Sequence, residues 1–299
     1  MKANQLSKTA AFIAIKFYGL TQIESYRSLF DKSVITFYDK LVQFLPVPLC
    51  WYHKWLKLGW ARKFYIASEE LLLPGDLMHI LARKWYIQKM ADDLVSQGYE
   101  QLIVLGAGFD HLSHHYAQKG LECFEFDAPY MAHLKRNFLS EAYPHSHHPN
   151  IIDSHFPADS LGEILQRQPG LDPAKKTIIV AEGFFDYLPS HTVDSFFITI
   201  KEYFSHNSAI ISTHFSLDEL SKFHRWVFKT SVNLVDEKLQ FNSSISEFEQ
   251  LLEDRQFKIL QLIDGQTISN EFLKRINSHL SILEGFYILM AKPVAEKFS

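Results

Sequence analysis

The segment 101–129 constrains this chain more than any other part of its sequence. An apolar run at 102–105 ends in a turn with Gly106 and Gly108, and a helical pattern follows. A second apolar run ends at Asp127, about 20 residues beyond the glycines, as in a nucleotide-binding β-α-β unit. Glycines let a backbone approach a ligand closely, and a carboxylate accepts hydrogen bonds from two ribose hydroxyls. The segment therefore predicts a strand, turn and helix that hold a nucleoside.

The glycine pattern also restricts the kind of nucleotide. The third glycine of the dinucleotide fingerprint is missing, because Phe109 and Asp110 follow Gly108. That glycine allows close packing of helix and strand around a pyrophosphate, so its absence favours an adenosine ligand without one, such as S-adenosylmethionine. A plain strand-to-helix turn with no ligand would carry the same two glycines, so this motif alone leaves both interpretations open.

Composition narrows the class of protein. The 299 residues are 47% hydrophobic, which is enough for a large core in one elaborated domain. The formal net charge is -4 and no basic tract is present, which argues against nucleic acid as the main partner. Cys50 and Cys123 give no disulfide framework, so a cytoplasmic, reducing location is expected. No apolar run approaches the roughly 18 residues of a transmembrane helix.

One stretch, 49–67, mixes aromatic and basic side chains. Three tryptophans, Phe64 and Tyr65 alternate with four lysines and arginines. Peripheral contact with a membrane surface is one interpretation of this mixture. The short polar face and Gly59 favour the other, a helix that packs over the active site with its aromatics inward and its lysines in water.

Hydrophobic periodicity divides the chain into a helical N-terminal region and an alternating core. Residues 1–75 have helical spacing interrupted by prolines and are expected to form a cap. Apolar runs that suit strands recur at 102–105, 121–126, 151–152, 177–181, 209–214, 257–263 and 286–291. Helical segments separate the first five runs, and this alternation of strands and helices is typical of a parallel sheet. An amphipathic stretch at about 216–256 predicts a helical lid or insertion after the fifth strand.

Four sequence blocks occur in the order of a known family. GAGFD at 106–110 and FEFDAP at 124–129 resemble the leucine carboxyl methyltransferase family of S-adenosylmethionine-dependent enzymes, in which a GAG-x-D turn precedes an E-x-D-x-P segment. AEGFFDYL at 181–188 resembles the family's A-E-G-x-x-x-Y-L block, and Arg83 stands on the helix before the first strand. The resemblance spans about 77–215.

This resemblance implies an α/β fold with a Rossmann-like class I methyltransferase sheet of seven strands, the last of them antiparallel. An N-terminal helical cap at 1–75 would precede an S-adenosylmethionine-binding methyltransferase domain at 76–299. The helical insertion after strand five would belong to that second domain.

The resemblance also implies which residues hold the cofactor. Arg83 would pair with the cofactor's carboxylate through its guanidinium fork. Gly106 and Gly108 would let the turn pass against the methionine portion, and Asp127 would bind the ribose hydroxyls. These residues supply a separate partner for each chemical group of S-adenosylmethionine.

The remaining acidic positions follow from the same comparison. Glu182, at the carboxyl end of a strand, would bind the ammonium group. Asp153 corresponds to the family's acid near the adenine, with Asp159 as the competing assignment. The chain departs from the family after the glycines, where Asp110-His111-Leu112 stands in place of the usual aspartate, threonine and arginine, and the family's later arginine is also missing. This departure affects the expected substrate and local ion pairs more than the cofactor.

No motif identifies a catalytic group. A carboxylate acceptor is already ionised at pH 7 and requires no general base. A hydroxyl acceptor would use one, for which His111, His114 and His214 are candidates, while Tyr187 could line the acceptor side. The histidine clusters lack Cys-x-x-Cys or His-Glu-x-x-His spacing, so no metal is expected.

These observations predict an S-adenosylmethionine-dependent O-methyltransferase that acts on a carboxylate or hydroxyl of a small molecule or peptide C-terminus. A binding protein that keeps the pocket but has lost catalysis is the second hypothesis, because the segment after the glycines is altered. A nicotinamide-dependent oxidoreductase is the third, and the missing glycine disfavours it. The sequence identifies neither the methyl acceptor nor the oligomeric state.

Overall fold

The computed structural model describes residues 5–234 and 239–294, and its N-terminal region is helical. The helices of this region are α1 (Lys8–Leu20), α2 (Glu24–Arg27), α3 (Lys32–Phe44), α4 (Tyr52–Trp55) and α5 (Gly59–Leu72). Buried aromatic side chains join α1 to α3, with the rings of Phe17 and Tyr38 4.4 Å apart between centroids. These helices share one hydrophobic core with the sheet, because Phe17 and Leu102 belong to the same buried cluster.

The sheet contains seven strands. They are β1 (Gln101–Leu105), β2 (Glu122–Asp127), β3 (Asn150–Asp153), β4 (Thr177–Ala181), β5 (Ser208–Phe215), β6 (Phe257–Ile263) and β7 (Phe286–Pro293). The order across the sheet is β3-β2-β1-β4-β5-β7-β6. The first five strands pair in parallel, and β7 is antiparallel to both of its neighbours. The predicted class I methyltransferase sheet, with its antiparallel last strand, is therefore confirmed.

Helices connect the strands and cover both faces. They are α6 (Asp76–Ser96), α7 (Leu112–Gln118), α8 (Pro129–Ala142), α9 (Leu161–Arg167), α10 (Ser190–Phe204), α11 (Lys222–Leu234), α12 (Ile245–Asp254) and α13 (Gly265–Thr267). The predicted helical insertion after the fifth strand corresponds to α11 and α12, and residues 235–238 within it lie outside the described part of the chain. α12 begins with a capping box between Ser244 and Glu247, which fixes its first turn.

Alternate residues of β1 show how the sheet is buried on both sides. Leu102 and Val104 pack with the cap and α6, whereas Ile103 and Leu105 pack with α9 and α10. A strand covered on both faces reads as a continuous apolar run, which is why β1 is easy to find in the sequence. Its carboxyl end then emerges at the centre of the molecule.

The favoured interpretation of 49–67 is wrong in its orientation. Trp60 and Phe64 are each 74% exposed, while the neighbouring Tyr65 and Ile66 pack against the core. Apolar side chains stand on more than one side of α5, so its pattern does not say which of them face inward. No described helix is long and apolar enough to cross a bilayer.

Candidate active site

A cavity of about 560 Å³ opens at the carboxyl ends of β1 and β4. These strands are neighbours at the point where the strand order reverses, which is where open α/β sheets bind ligands. Residues of α1, α6 and α11 cover the cavity, and most of its lining is apolar. Its volume lies within the roughly 300–1,000 Å³ range of small-molecule sites.

One face of α6 runs along the cavity. Asp76, His79, Ile80, Arg83 and Lys84 all line it, at helical positions i, i+3, i+4, i+7 and i+8. The amino end of this face meets Lys16 of α1, whose Nζ lies 2.5 Å from the Asp76 carboxylate. The other end meets the turns that follow β1 and β4. A single helix therefore supplies polar groups to both ends of the cavity.

The turn after β1 brings main chain to the cavity through two glycines in the left-handed region. Gly106 has φ of +61° and Gly108 has φ of +49°, a region that other residues rarely adopt. The Gly106 N–H donates to the Phe126 carbonyl at 2.8 Å, which ties the turn to β2. A Cβ at position 106 would lie 2.5 Å from the Phe184 ring. Conformation and space both require glycine at position 106.

Asp127, the last residue of β2, faces this turn. Its carboxylate accepts hydrogen bonds from the backbone N–H of Gly108 and, at 2.7 Å, from that of Ala128. Burial raises the pKa of Asp127 to about 6, although both N–H donors act to lower it. Each carboxylate oxygen keeps a further lone pair for a ligand, so this side chain can accept from two hydroxyls.

A buried network of charges joins α6 to the turns after β1 and β4. Arg83 Nε lies 2.7 Å from Glu182 Oε1, and Lys84 Nζ lies 2.9 Å from Glu182 Oε2 while also contacting Asp110. Burial alone would lower the pKa of Lys84, but the Asp110 and Glu182 carboxylates raise it above its usual value. The two cations and two anions balance each other in the cavity wall.

Several buried polar atoms around the cavity lack a hydrogen-bond partner among the described residues. They include Arg83 Nε and Glu182 Oε1, which are close without completing a hydrogen bond, and the Ser154 hydroxyl. Buried polar atoms are normally paired, so the Ser154 hydroxyl is available to a ligand, and Arg83 and Glu182 keep further donors and lone pairs beyond their 2.7 Å ion pair. S-adenosylmethionine has the carboxylate, ammonium and hydroxyl groups that would pair with them. The residues present therefore fit this cofactor.

The structure brings most of the predicted cofactor residues together. Arg83, Gly106, Gly108, Asp127 and Glu182 all line the cavity, and so does the acceptor-side candidate Tyr187. Asp153 is not among the lining residues. It lies half-exposed at the end of the edge strand β3 and pairs with Arg136 at 2.8 Å. Ser154, the next residue, lines the cavity in its place.

The histidine candidates for a base are buried outside the cavity lining. His111 lies between the Tyr38 hydroxyl and the Gln88 side chain, and burial lowers its pKa to about 3. His214 Nε2 donates to the Ser243 carbonyl at 2.9 Å, and burial lowers its pKa to about 4. Imidazoles with such low pKa values are weak bases. In the described part of the chain, no three metal-ligating side chains are grouped as a metal site.

Sequence reasoning did not assign roles to Lys84 and Asp186. Both line the cavity, and both are buried. The signal for Lys84 was a second basic residue beside Arg83 on a helix with many apolar positions, because such a helix has little surface left to face water. The signal for Asp186 was an acid inside the aromatic run 184–187.

Asp186 is held at the edge of the cavity. Its Oδ1 accepts from the Phe215 N–H at 3.2 Å and lies 3.8 Å from His214 Nδ1. Burial raises the pKa of Asp186 to about 7, although Phe215 and Arg83 act to lower it. A carboxyl group with this pKa changes charge near neutral pH.

We expect Asp186→Asn to remove part of the pH dependence of stability. Because the pKa is raised from 3.8 to about 7, the neutral acid stabilises the fold below about pH 4, and this contribution is lost as the pH rises through 7. The variant should gain at least about 2 kcal/mol of unfolding free energy relative to wild type between about pH 4 and pH 8. Urea denaturation at both pH values measures the difference. The half-exposed Asp153→Asn serves as control, and parallel curves for Asp186→Asn and wild type would contradict the expectation.

Comparison with known proteins gives a consistent family assignment. The family model for leucine carboxyl methyltransferase matches residues 40–201, more than half of the chain. A search of curated proteins found no match. A methyltransferase candidate from Thermobifida fusca YX has a similar structure, with a TM-score of 0.57 and 13% identity over 79% of this chain and 89% of that one. A DUF574 family protein from Streptomyces avermitilis MA-4680 gives a TM-score of 0.56 and 12% identity, over 78% and 91% of the two chains. At these identities the two structures show a shared fold.

Proposed function

The chain belongs to the leucine carboxyl methyltransferase family, and we propose that this S-adenosylmethionine-dependent methyltransferase transfers a methyl group to a carboxylate or hydroxyl oxygen of a small, largely apolar molecule. The observation that carries the proposal is the convergence of Gly106, Asp127, Glu182 and Arg83 on one mostly apolar cavity. A cavity of this kind holds a polar cofactor at one end and an apolar acceptor beside it.

We assign the cofactor to the end of the cavity formed by β1, β2 and β4. Asp127 would accept from the ribose hydroxyls, with its carboxylate held in place by Gly108 and Ala128. Arg83 would pair with the carboxylate of the cofactor, and Glu182 with its ammonium group. Ser154, whose hydroxyl has no other partner among the described residues, would hydrogen-bond near the adenosine.

The protein's own contribution to the reaction is positioning and the exclusion of water. When bound, the cofactor supplies a methyl group on a positively charged sulfonium. Phe184 and Phe228 line the space where an acceptor would lie, and their apolar rings exclude water and restrict its orientation. The balanced charges of Arg83, Lys84, Asp110 and Glu182 hold the two turns in fixed positions.

The identity of the accepting oxygen determines whether a base is used. A carboxylate is ionised at neutral pH and attacks without one. A hydroxyl must lose a proton, and Asp186, which lines the cavity with a pKa of about 7, is the best placed group to accept it. The structure thus favours Asp186 over His111 and His214 as the base for a hydroxyl acceptor.

Two alternatives make different predictions for ligand binding. A protein that has lost catalysis would bind S-adenosylhomocysteine without transferring a methyl group. A nicotinamide oxidoreductase would bind NAD instead, but the family assignment and the two-glycine turn both disfavour it. Calorimetric titration with S-adenosylhomocysteine and with NAD separates these alternatives from each other.

Methyl transfer should be measured with acceptors that differ only in the oxygen group. Purified protein is incubated with methyl-labelled S-adenosylmethionine and a medium-chain carboxylic acid, an alcohol and a phenol with the same chain, or a peptide that ends in leucine. We expect label in the small acid, alcohol or phenol, and little in the peptide. If the acceptor is a hydroxyl, Asp186→Asn should lower its rate at least tenfold, whereas a carboxylate acceptor should be methylated at the wild-type rate.

The outcomes of this assay separate the proposals. Label in the peptide alone would replace the small-molecule acceptor by a protein terminus. Tight binding of S-adenosylhomocysteine with no transfer to any acceptor in the panel would favour the binding protein. Binding of NAD without S-adenosylhomocysteine would overturn the cofactor assignment as well.

A further inference from the structure

The cap presents an apolar surface that the proposed reaction does not use. Six large apolar side chains on α4, α5 and the segments next to them are about half exposed or more: Trp51, Trp55, Leu58, Trp60, Phe64 and Leu71. We call this surface the tryptophan face. Isolated apolar residues on a surface are ordinary, but six exposed large apolar side chains within residues 51–71 indicate an interaction site.

The most exposed apolar side chains of α5 lie on one face of the helix. Trp60, Phe64 and Leu71 follow at i, i+4 and i+11, so they point to the same side of the helix. Leu71 is 80% exposed. The opposite side carries Tyr65 and Ile66, which pack against the core. α5 therefore contacts the core through half-buried side chains on one side and carries a second apolar stripe toward the outside.

Basic side chains lie among the aromatic ones. Lys54 and Lys63 are exposed and form no ion pair with any described residue. The nearby acids are engaged elsewhere, because Glu69 pairs with Lys16 at 2.8 Å and Glu70 accepts from the Gly75 N–H. The tryptophan face is therefore apolar and positively charged at once, which is the composition of helices that lie in the headgroup region of anionic membranes.

The end of α5 connects the tryptophan face to the cavity. Leu72, the last residue of α5, is 59% exposed and also lines the cavity. On α11, Val227 and Phe228 line the same cavity while Phe223 and Trp226 are exposed. Exposed apolar residues on two helices thus lie next to the residues that enclose the proposed acceptor space.

We propose that the tryptophan face docks on the surface of an anionic phospholipid bilayer. Tryptophan and phenylalanine side chains would enter the headgroup region, and the Lys54 and Lys63 ammonium groups would reach the lipid phosphates. A second copy of the chain fits this face less well, because a two-fold contact would bring the unpaired lysines of both copies into one apolar interface. Docking would bring the cavity next to the bilayer.

Vesicle co-sedimentation tests the proposal on the full chain. Vesicles of phosphatidylcholine alone are compared with vesicles that also contain phosphatidylglycerol. We expect binding to the anionic vesicles that weakens as salt is added. Trp60→Ser/Phe64→Ser should weaken it at least tenfold, and Lys54→Gln/Lys63→Gln by about fivefold for each lysine. The control Ile198→Ser/Leu260→Ser removes exposed aliphatic side chains from α10 and β6 and should bind like wild type.

Three results would overturn the proposal. The first is that wild type does not bind anionic vesicles, and the second is that all variants bind them equally. The third is that wild type forms a dimer in light scattering, that Trp60→Ser/Phe64→Ser dissociates this dimer, and that vesicles bind neither protein. Unchanged affinity for S-adenosylhomocysteine in each variant shows that the fold is intact. If the aromatic double variant misfolds, the lysine double variant decides the question, because its side chains make no ion pairs that the fold requires.

Discussion

Lys84→Met is expected to lower the free energy of unfolding by about 3–5 kcal/mol, because it leaves the buried Asp110 carboxylate without its lysine and Glu182 with Arg83 alone. Lys84 contacts Asp110 and lies 2.9 Å from Glu182, and all three side chains are at most 12% exposed. Methionine fills a similar volume, so the loss reports charge and not packing. Urea denaturation at neutral pH measures the change.

Two further variants isolate the buried charge. Lys175→Met removes a cation from a solvent-exposed pair with Glu122 and should leave the denaturation midpoint unchanged. Asp110→Asn, added to Lys84→Met, removes the carboxylate that has lost its lysine and should recover part of the lost stability. A Lys84→Met protein as stable as wild type would show that the network makes no net contribution to the fold.

Gly106→Val is expected to abolish binding of S-adenosylhomocysteine, with a loss of at least about 1,000-fold, or roughly 4 kcal/mol. A side chain at position 106 would be strained at φ of +61°, and its Cβ would lie 2.5 Å from the Phe184 ring. Either the turn or the ring must then move, and both line the cavity proposed to hold the cofactor. Isothermal titration calorimetry measures the affinity.

Gly120→Val is the control that separates backbone strain at a positive φ from the effect of a side chain beside the proposed cofactor site. Gly120 also has a positive φ, +90°, but nothing lies within 4 Å of the site of its Cβ. This variant should lose some stability and keep its affinity for S-adenosylhomocysteine. Gly106→Ala/Phe184→Ala relieves the clash and should bind more tightly than Gly106→Ala alone. Wild-type affinity in Gly106→Val would place the cofactor elsewhere.

The sheet was predictable because each strand leaves a local pattern. β1 and β4 are covered on both faces, so they appear as unbroken apolar runs such as 102–105 and 177–181. The glycine turn was predictable for a similar reason, since glycine is the residue that adopts the left-handed conformation of Gly106 without strain. Features that depend on backbone geometry require particular residue types, so they can be recognised in the sequence.

Features that depend on tertiary contacts are harder to recognise in the sequence. Asp153 had a suitable position after β3, but β3 lies at the edge of the sheet, where Arg136 and water compete for its carboxylate. Lys84 is distinguished from a surface lysine only by Asp110 and Glu182, which are 26 and 98 residues away. The orientation of α5 depends on which of its apolar sides contacts the core, and the sequence of α5 is apolar on more than one side.

The continuity of α6 along the cavity has a consequence for how such an enzyme can diversify. Asp76 and Lys84 stand at opposite ends of one rigid helical face, so a rotation or shift that alters one end must displace the other. Substitutions in α6 that change substrate preference would therefore also weaken binding of the methyl donor. Specificity is freer to change in α1 and α11, which border the same space but are not part of the Arg83–Lys84–Asp110–Glu182 network. Relatives with new substrates should differ first in those two helices and last in α6.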